Sequence, residues 1–137
     1  MRGILSGVRR PFALILLLAA CSSACSVAVY VRSEADTLYF GTAKPDGSVV
    51  TDWEWKTFLA DEVTARFPAG LTTWDADGQY RDQRGVIEHE RTHLVQIVHA
   101  TNATDEAKIA AVIAAYKQRF RQESVLLLRT DVWMPAR

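Results

Sequence analysis

Two amphipathic helical stripes set among four extended runs predict an α+β domain, a ferredoxin-like split β-α-β-β-α-β fold. Three observations carry this. A Thr-x-x-Glu capping box opens the first stripe at Thr51. Residues 86–99, VIEHERTHLVQIVH, form one long extended run. Glycine, proline and Asp-Gly signals punctuate the spaces between elements. The arrangement predicts a four-stranded antiparallel sheet in spatial order 4-1-3-2, with both helices on one face.

In chain order, residues 37–41 are β-branched and aromatic with a glycine stop, the first strand. Lys44-Pro45-Asp46-Gly47 is a turn. After the Thr51 cap, Trp55, Phe58, Leu59, Val63 and Phe67 fall on one helical face until Pro68 and Gly70 stop it. Glu62 and Arg66 are spaced to pair on its flank. Residues 71–74 open the second strand, Asp77-Gly78 bends or bulges it, and residues 79–81 resume it. Residues 82–85 form a hairpin loop before the long third strand. Thr104 is the expected cap of the second helix, with Ile109, Val112, Ile113, Tyr116 and Phe120 as its stripe. Residues 125–128 start the fourth strand, and Pro135 ends it.

The domain is preceded by a leader. Residues 1–20 combine Arg2, Arg9 and Arg10 with an apolar core and small residues, the architecture of a secretory signal. Leu18-Ala19-Ala20-Cys21 resembles a bacterial lipobox, in which Cys21 becomes the diacylated N-terminus. The expected organisation is a signal peptide over 1–20, a lipidated Cys21 and tether over 21–35, and one domain over 36–137. The apolar run 12–31 is the competing reading, an uncleaved anchor. The expected address is the bacterial cell envelope, with the membrane as partner through the lipid. Cys21 and Cys25 are the only cysteines and both precede the fold, so its core holds by packing. From Cys21 onward there are thirteen Lys+Arg against sixteen Asp+Glu, a net charge of −3. That excludes nucleic acid as the main partner, because phosphate neutralisation needs a basic face.

Certain blocks bear on family. Tyr39-Phe40-Gly41, Val50-Thr51 leading to Glu54-Trp55, and Arg66-Phe67-Pro68-Ala69-Gly70-Leu71-Thr72 come first. Gly78-Gln79-Tyr80-Arg81, Glu90-Arg91 and the run 115–125, AYKQRFRQESV, follow. Together they resemble the DUF3574 family, small bacterial exported or lipoprotein-type domains of uncharacterised function, over residues 36–130. Ala65, Tyr80 and His93 stand where the family commonly carries proline, tryptophan and lysine. The resemblance implies the fold and the address; it brings no reaction and no catalytic residues.

Candidate chemistry centres on the third strand. Alternation puts His89, Arg91, His93 and His99 on one face and Glu88 and Glu90 on the other. His89 and His93 lie about 13 Å apart along a strand, too far to share a metal, and the HExxH spacing is absent. Neither a metal nor a cofactor is expected. The acid–base alternative makes Glu90 a general base assisted by Arg91, Tyr39, Gln79 or Arg119. Against it stands an ordinary cross-strand ion pair. Ser124 lacks the turn of a nucleophile elbow and reads as a linker. The fourth strand is apolar on both faces, Val125 and Leu127 against Leu126 and Leu128, while two helices cover only one face of the sheet. The other face needs a cover: a second copy of the chain or a small-molecule ligand. The leading expectation is therefore a non-enzymatic ligand-binding or protein-interaction module.

Overall fold

The computed structural model describes residues 29–81 and 84–136. The leader, Cys21, Cys25 and the tether up to residue 28 lie outside the described residues, as do positions 82 and 83 of the expected hairpin loop. Strand β1 spans Tyr30–Gly41, helix α1 Asp52–Phe58, and a π-helical segment Leu59–Thr64 continues α1. Strands β2 (Thr72–Arg81) and β3 (Ile87–Ala100) follow, then helix α2 (Ala103–Phe120) and strand β4 (Leu126–Pro135). The sheet order is β2-β3-β1-β4, with every pair antiparallel; this is the expected 4-1-3-2 order read from the other edge.

Helix α1 begins as the sequence dictates. Thr51 Oγ1 accepts from the Glu54 backbone N–H at 3.2 Å, and the Thr51 N–H donates to Glu54 Oε2 at 2.8 Å. Lys44 Nζ also donates to that carboxylate. The Lys44 bond and the Thr51 backbone bond together hold the Glu54 carboxyl down to about 2. The π segment lets Phe58 and Val63, five apart, both reach the core fully buried. Arg66 pairs with Glu62 at 2.6 Å.

The core lies between the sheet and the helices. Leu38 and Phe40 of β1 and Val95 and Ile97 of β3 meet Trp55, Phe58, Val63 and Phe67 from the first helix and Ile109, Val112, Tyr116 and Phe120 from α2. Phe40 contacts the rings of Trp55, Phe58 and Tyr116 at centroid separations of 5.4, 5.9 and 4.7 Å. The Tyr116 hydroxyl donates to the Gly41 carbonyl at 2.9 Å. Burial, then the charges of Glu90 and Glu54, push its ionisation far above the usual phenol range.

Three local expectations are corrected. Strand β1 begins at Tyr30, not residue 37, so residues 30–35 of the expected tether are sheet. Their charges hid this, because Glu34 and Asp36 are buried against partners distant in sequence. Strand β2 has no bulge at Asp77-Gly78; its register with β3 runs one-to-one from Thr72↔Gln96 to Arg81↔Ile87. Helix α2 is capped by Asn102, whose side chain accepts from the Asp105 N–H at 2.9 Å, and Thr104 lies inside the first turn. Asn102 wins because its amide also donates to Ala100 O and Asp105 Oδ2.

Candidate interaction surface

Register and alternation assign each strand residue to a face. Phe40↔His93, Leu38↔Val95, Asp36↔Ile97 and Glu34↔His99 look toward the helices. The open face carries Thr37 and Tyr39 of β1, Trp74 and Ala76 of β2, Thr92, Leu94, Gln96 and Val98 of β3, and Leu126, Leu128, Thr130 and Val132 of β4. All of these are uncharged. The charged residues Glu34, Asp36, Asp75, Asp77, Arg91, Arg129 and Asp131 are on the helix side. The inward face carries the apolar core, as an antiparallel sheet ordinarily does, but the outward face lacks the charges that a solvated face usually shows. Trp74, Val98, Leu126 and Leu128 are large apolar residues left exposed on this face. It turns acidic at one end, at Glu90.

Glu90 marks that end. Its Oε1 accepts from the Ala43 N–H at 2.7 Å, and its carboxylate lies over Gly41. A Cβ on Gly41 would fall 2.6 Å from Glu90 Oε1, so the glycine makes room for the acid. The residues grouped with Glu90 in the acid–base reading are not gathered around it. Arg91, its chain neighbour, points to the helix side and bonds Asp52 at 3.0 Å and Asp75 at 2.6 Å. Gln79 lies on the helix side of β2, and Arg119 sits on α2 within 3.9 Å of Asp61. Tyr39 does share the open face. Gln122 lies near the same end and donates to Ala43 O at 2.6 Å.

The histidines are on the helix side. His93 is buried, stacked on Trp55 at 4.4 Å, and its Nδ1–H donates to Asp75 at 2.6 Å; Nε2 is buried without a hydrogen-bond partner. His99 is the more telling. Its Nδ1 lies 2.9 Å from the Ala100 carbonyl and its Nε2 3.0 Å from Asp36 Oδ2. Both partners are acceptors, so the site accommodates the imidazolium, donating from both nitrogens. Burial works against that charge, but the Asp36 bond, the Ala100 carbonyl and the charges of Asp36 and Asp105 outweigh it and raise the ring's pKa. Asp36 is 0% exposed and also takes a forked bond from Arg129, at 2.8 and 2.9 Å. Burial raises its carboxyl, and the bonds from Arg129 and His99 bring it below the ordinary value. Glu34 Oε2 lies 3.3 Å from Arg129 without hydrogen-bond geometry. This charge cluster was missing from the sequence reading. The signal for it was two acids in an otherwise strand-like run, facing a third-strand histidine.

At the end of β3 away from Glu90, β2 has stopped and the 66–71 loop leans over the sheet. A hollow of about 810 Å³ lies there, lined by Phe67, Pro68, Leu71, Val98, Met134 and the edge of His99 among others. Its cationic neighbours are already paired, Arg66 with Glu62 and Lys108 with Asp105. Among the described residues, no group of three or more His, Cys, Asp or Glu is placed to hold a metal.

The profile of a family described as a protein of unknown function, DUF3574, matches residues 35–135. The chain belongs to this family. No curated protein matches this DUF3574 chain. Among solved structures it is similar to a phage SAM lyase in complex with S-methyl-5'-thioadenosine, at 17% identity and TM-score 0.58 over 76% of this chain and 90% of that one. It is also similar to CutA from Synechococcus elongatus PCC7942, at 13% identity and TM-score 0.51 over 78% and 86%. At these identities the likeness shows the fold of the DUF3574 chain and nothing more.

Proposed function

We propose that this chain is a lipid-anchored, non-enzymatic interaction module of the bacterial cell envelope, working through the open face of its sheet, where a second copy is its partner. The open face, uncharged away from its Glu90 end, carries the reading. Four strands about 4.8 Å apart and about ten residues long present roughly 600 Å² in plan. Two copies face to face bury about 1,200 Å², the lower bound for a stable interface. The address rests on the leader and Cys21. The lack of catalysis is supported by His99, whose two nitrogens are committed, and by the dispersal of the Glu90 set. The protein purified with its lipid is expected to leave detergent as two copies in native mass spectrometry. Leu128→Glu, at a half-exposed position on the β4 side of the face, is expected to give one copy that still unfolds cooperatively in urea. A single copy for the wild type at micromolar concentration would refute self-pairing.

A second reading, acid–base chemistry at Glu90, is favoured by the glycine that yields space to its carboxylate. Glu90→Gln separates the two. A general base loses turnover with its fold intact, whereas a structural acid keeps the Ala43 bond through its amide oxygen and loses a little stability and nothing else.

A further inference from the structure

Strands β1 and β4 run past the end of β3. Tyr30, Val31 and Arg32 pair with Pro135, Met134 and Trp133 alone, while β3 stops opposite Ser33. The Ala136 N–H closes this ribbon on Val29 O at 2.7 Å. A two-stranded ribbon has no core of its own, yet this one carries Trp133, 67% exposed, with Val29, Tyr30 and Val31 also bare. Its nearest charges cancel: Arg32 donates to Asp131 at 2.8 Å. Such a tip is poorly suited to water and well suited to a bilayer interface, where the amphipathic rings of tryptophan and tyrosine settle at headgroup level.

The chain itself says which interface. Val29, at the tip, is eight residues from Cys21. Fully extended, that length reaches about 27 Å. The ribbon tip is thus where the domain meets its tether, within a short span of any lipid on Cys21. We infer that Trp133, Tyr30 and Val31 rest in the headgroup region of the membrane that holds the Cys21 lipid. This rests on the lipid-anchor reading above and is independent of self-pairing.

The test uses the protein purified with its own lipid and reconstituted into phosphatidylethanolamine–phosphatidylglycerol vesicles, with and without bromine near the top of the acyl chains. Bromine quenches tryptophan on contact. The expected result is a loss of up to about a quarter of the emission, since Trp133 is one of four tryptophans. Trp133→Phe should abolish that loss, and because the residue is exposed the variant should fold. The acyl mass on Cys21 is measured on the same sample. With the acyl mass present and no difference between wild type and Trp133→Phe, the inference is overturned and the anchor stands. With no acyl mass, the anchor reading falls and the inference goes with it. If Trp133 emission ignores bromine but shifts on dilution of the protein, the tip packs on a second copy, and the inference is equally overturned.

Discussion

Replacing Asp36 by Asn probes the most demanding arrangement in the domain. The substitution keeps size and shape and removes one charge. It strips a fully buried carboxylate from the forked Arg129 bonds and from His99, and leaves two cations facing an amide. Removing one partner of a buried ion pair costs about 3–5 kcal/mol, a large share of the 5–15 kcal/mol that holds a typical domain. The same cluster fixes a pH dependence. The folded pKa of His99 is raised, so its contribution is whole below the unfolded value of about 6.5 and is lost as pH climbs through the folded one. The folded pKa of Asp36 is lowered, so its contribution is whole above about 4 and is lost as pH falls through the folded one. Both are complete between about pH 4 and 6.5. Urea unfolding at about pH 5.5 and about pH 8.5 reads both effects. The wild type should weaken on the alkaline side, at a limiting slope of about 1.4 kcal/mol per pH unit. His99→Gln should flatten that limb. Asp36→Asn should lower stability by the full amount at about pH 5.5 and lose most of the slope. A cost under about 1 kcal/mol, or an alkaline limb identical in wild type and His99→Gln, would refute the assignment.

The remaining tests are simpler. Gly41→Ala should cost about 1 kcal/mol by pushing Glu90 off the Ala43 N–H, and the cost should shrink in a Glu90→Ala background; additivity of the two changes in urea melts would count against the close approach. Tyr116→Phe leaves the Gly41 carbonyl without its donor and should cost about 1–3 kcal/mol by thermal or urea unfolding. Phe58→Ala empties a fully buried site among Phe40, Trp55, Tyr116 and Phe120 and should cost about 3–5 kcal/mol; a value near 1 would mean the core collapses to refill it.

What could be read in the sequence was whatever local chemistry decides. The Thr51–Glu54 box, the stripes ending at Phe67 and Phe120, and the opposite facing of Glu90 and His93 all follow from spacing, and spacing survives folding. What escaped depends on distant partners. The first seven residues of β1 look like a linker until Asp36 is seen against Arg129 and Glu34 near it. The π segment escaped because Leu59 and Val63, four apart, already fit a 3.6-residue period, whereas Phe58 and Val63, five apart, share a face only through the wider turn. The Glu90 set was drawn too widely. Adjacent strand residues point to opposite faces, so Arg91 is out of reach of Glu90 chemistry by the same alternation that separated the histidines from the acids. The uncharged character of the open face needed the register of all four strands, which no single stretch reveals.

The entry of the chain through β1 has a mechanical outcome. This strand is interior, laddered to β3 on one side and to β4 on the other from Ser33 to Tyr39. A pull from upstream of Tyr30 runs along its axis and loads both ladders in shear at once, instead of unzipping bonds one by one from a sheet margin. A domain held at this end would resist tugging far better than one held at β2, whose outer side has no neighbour in the sheet.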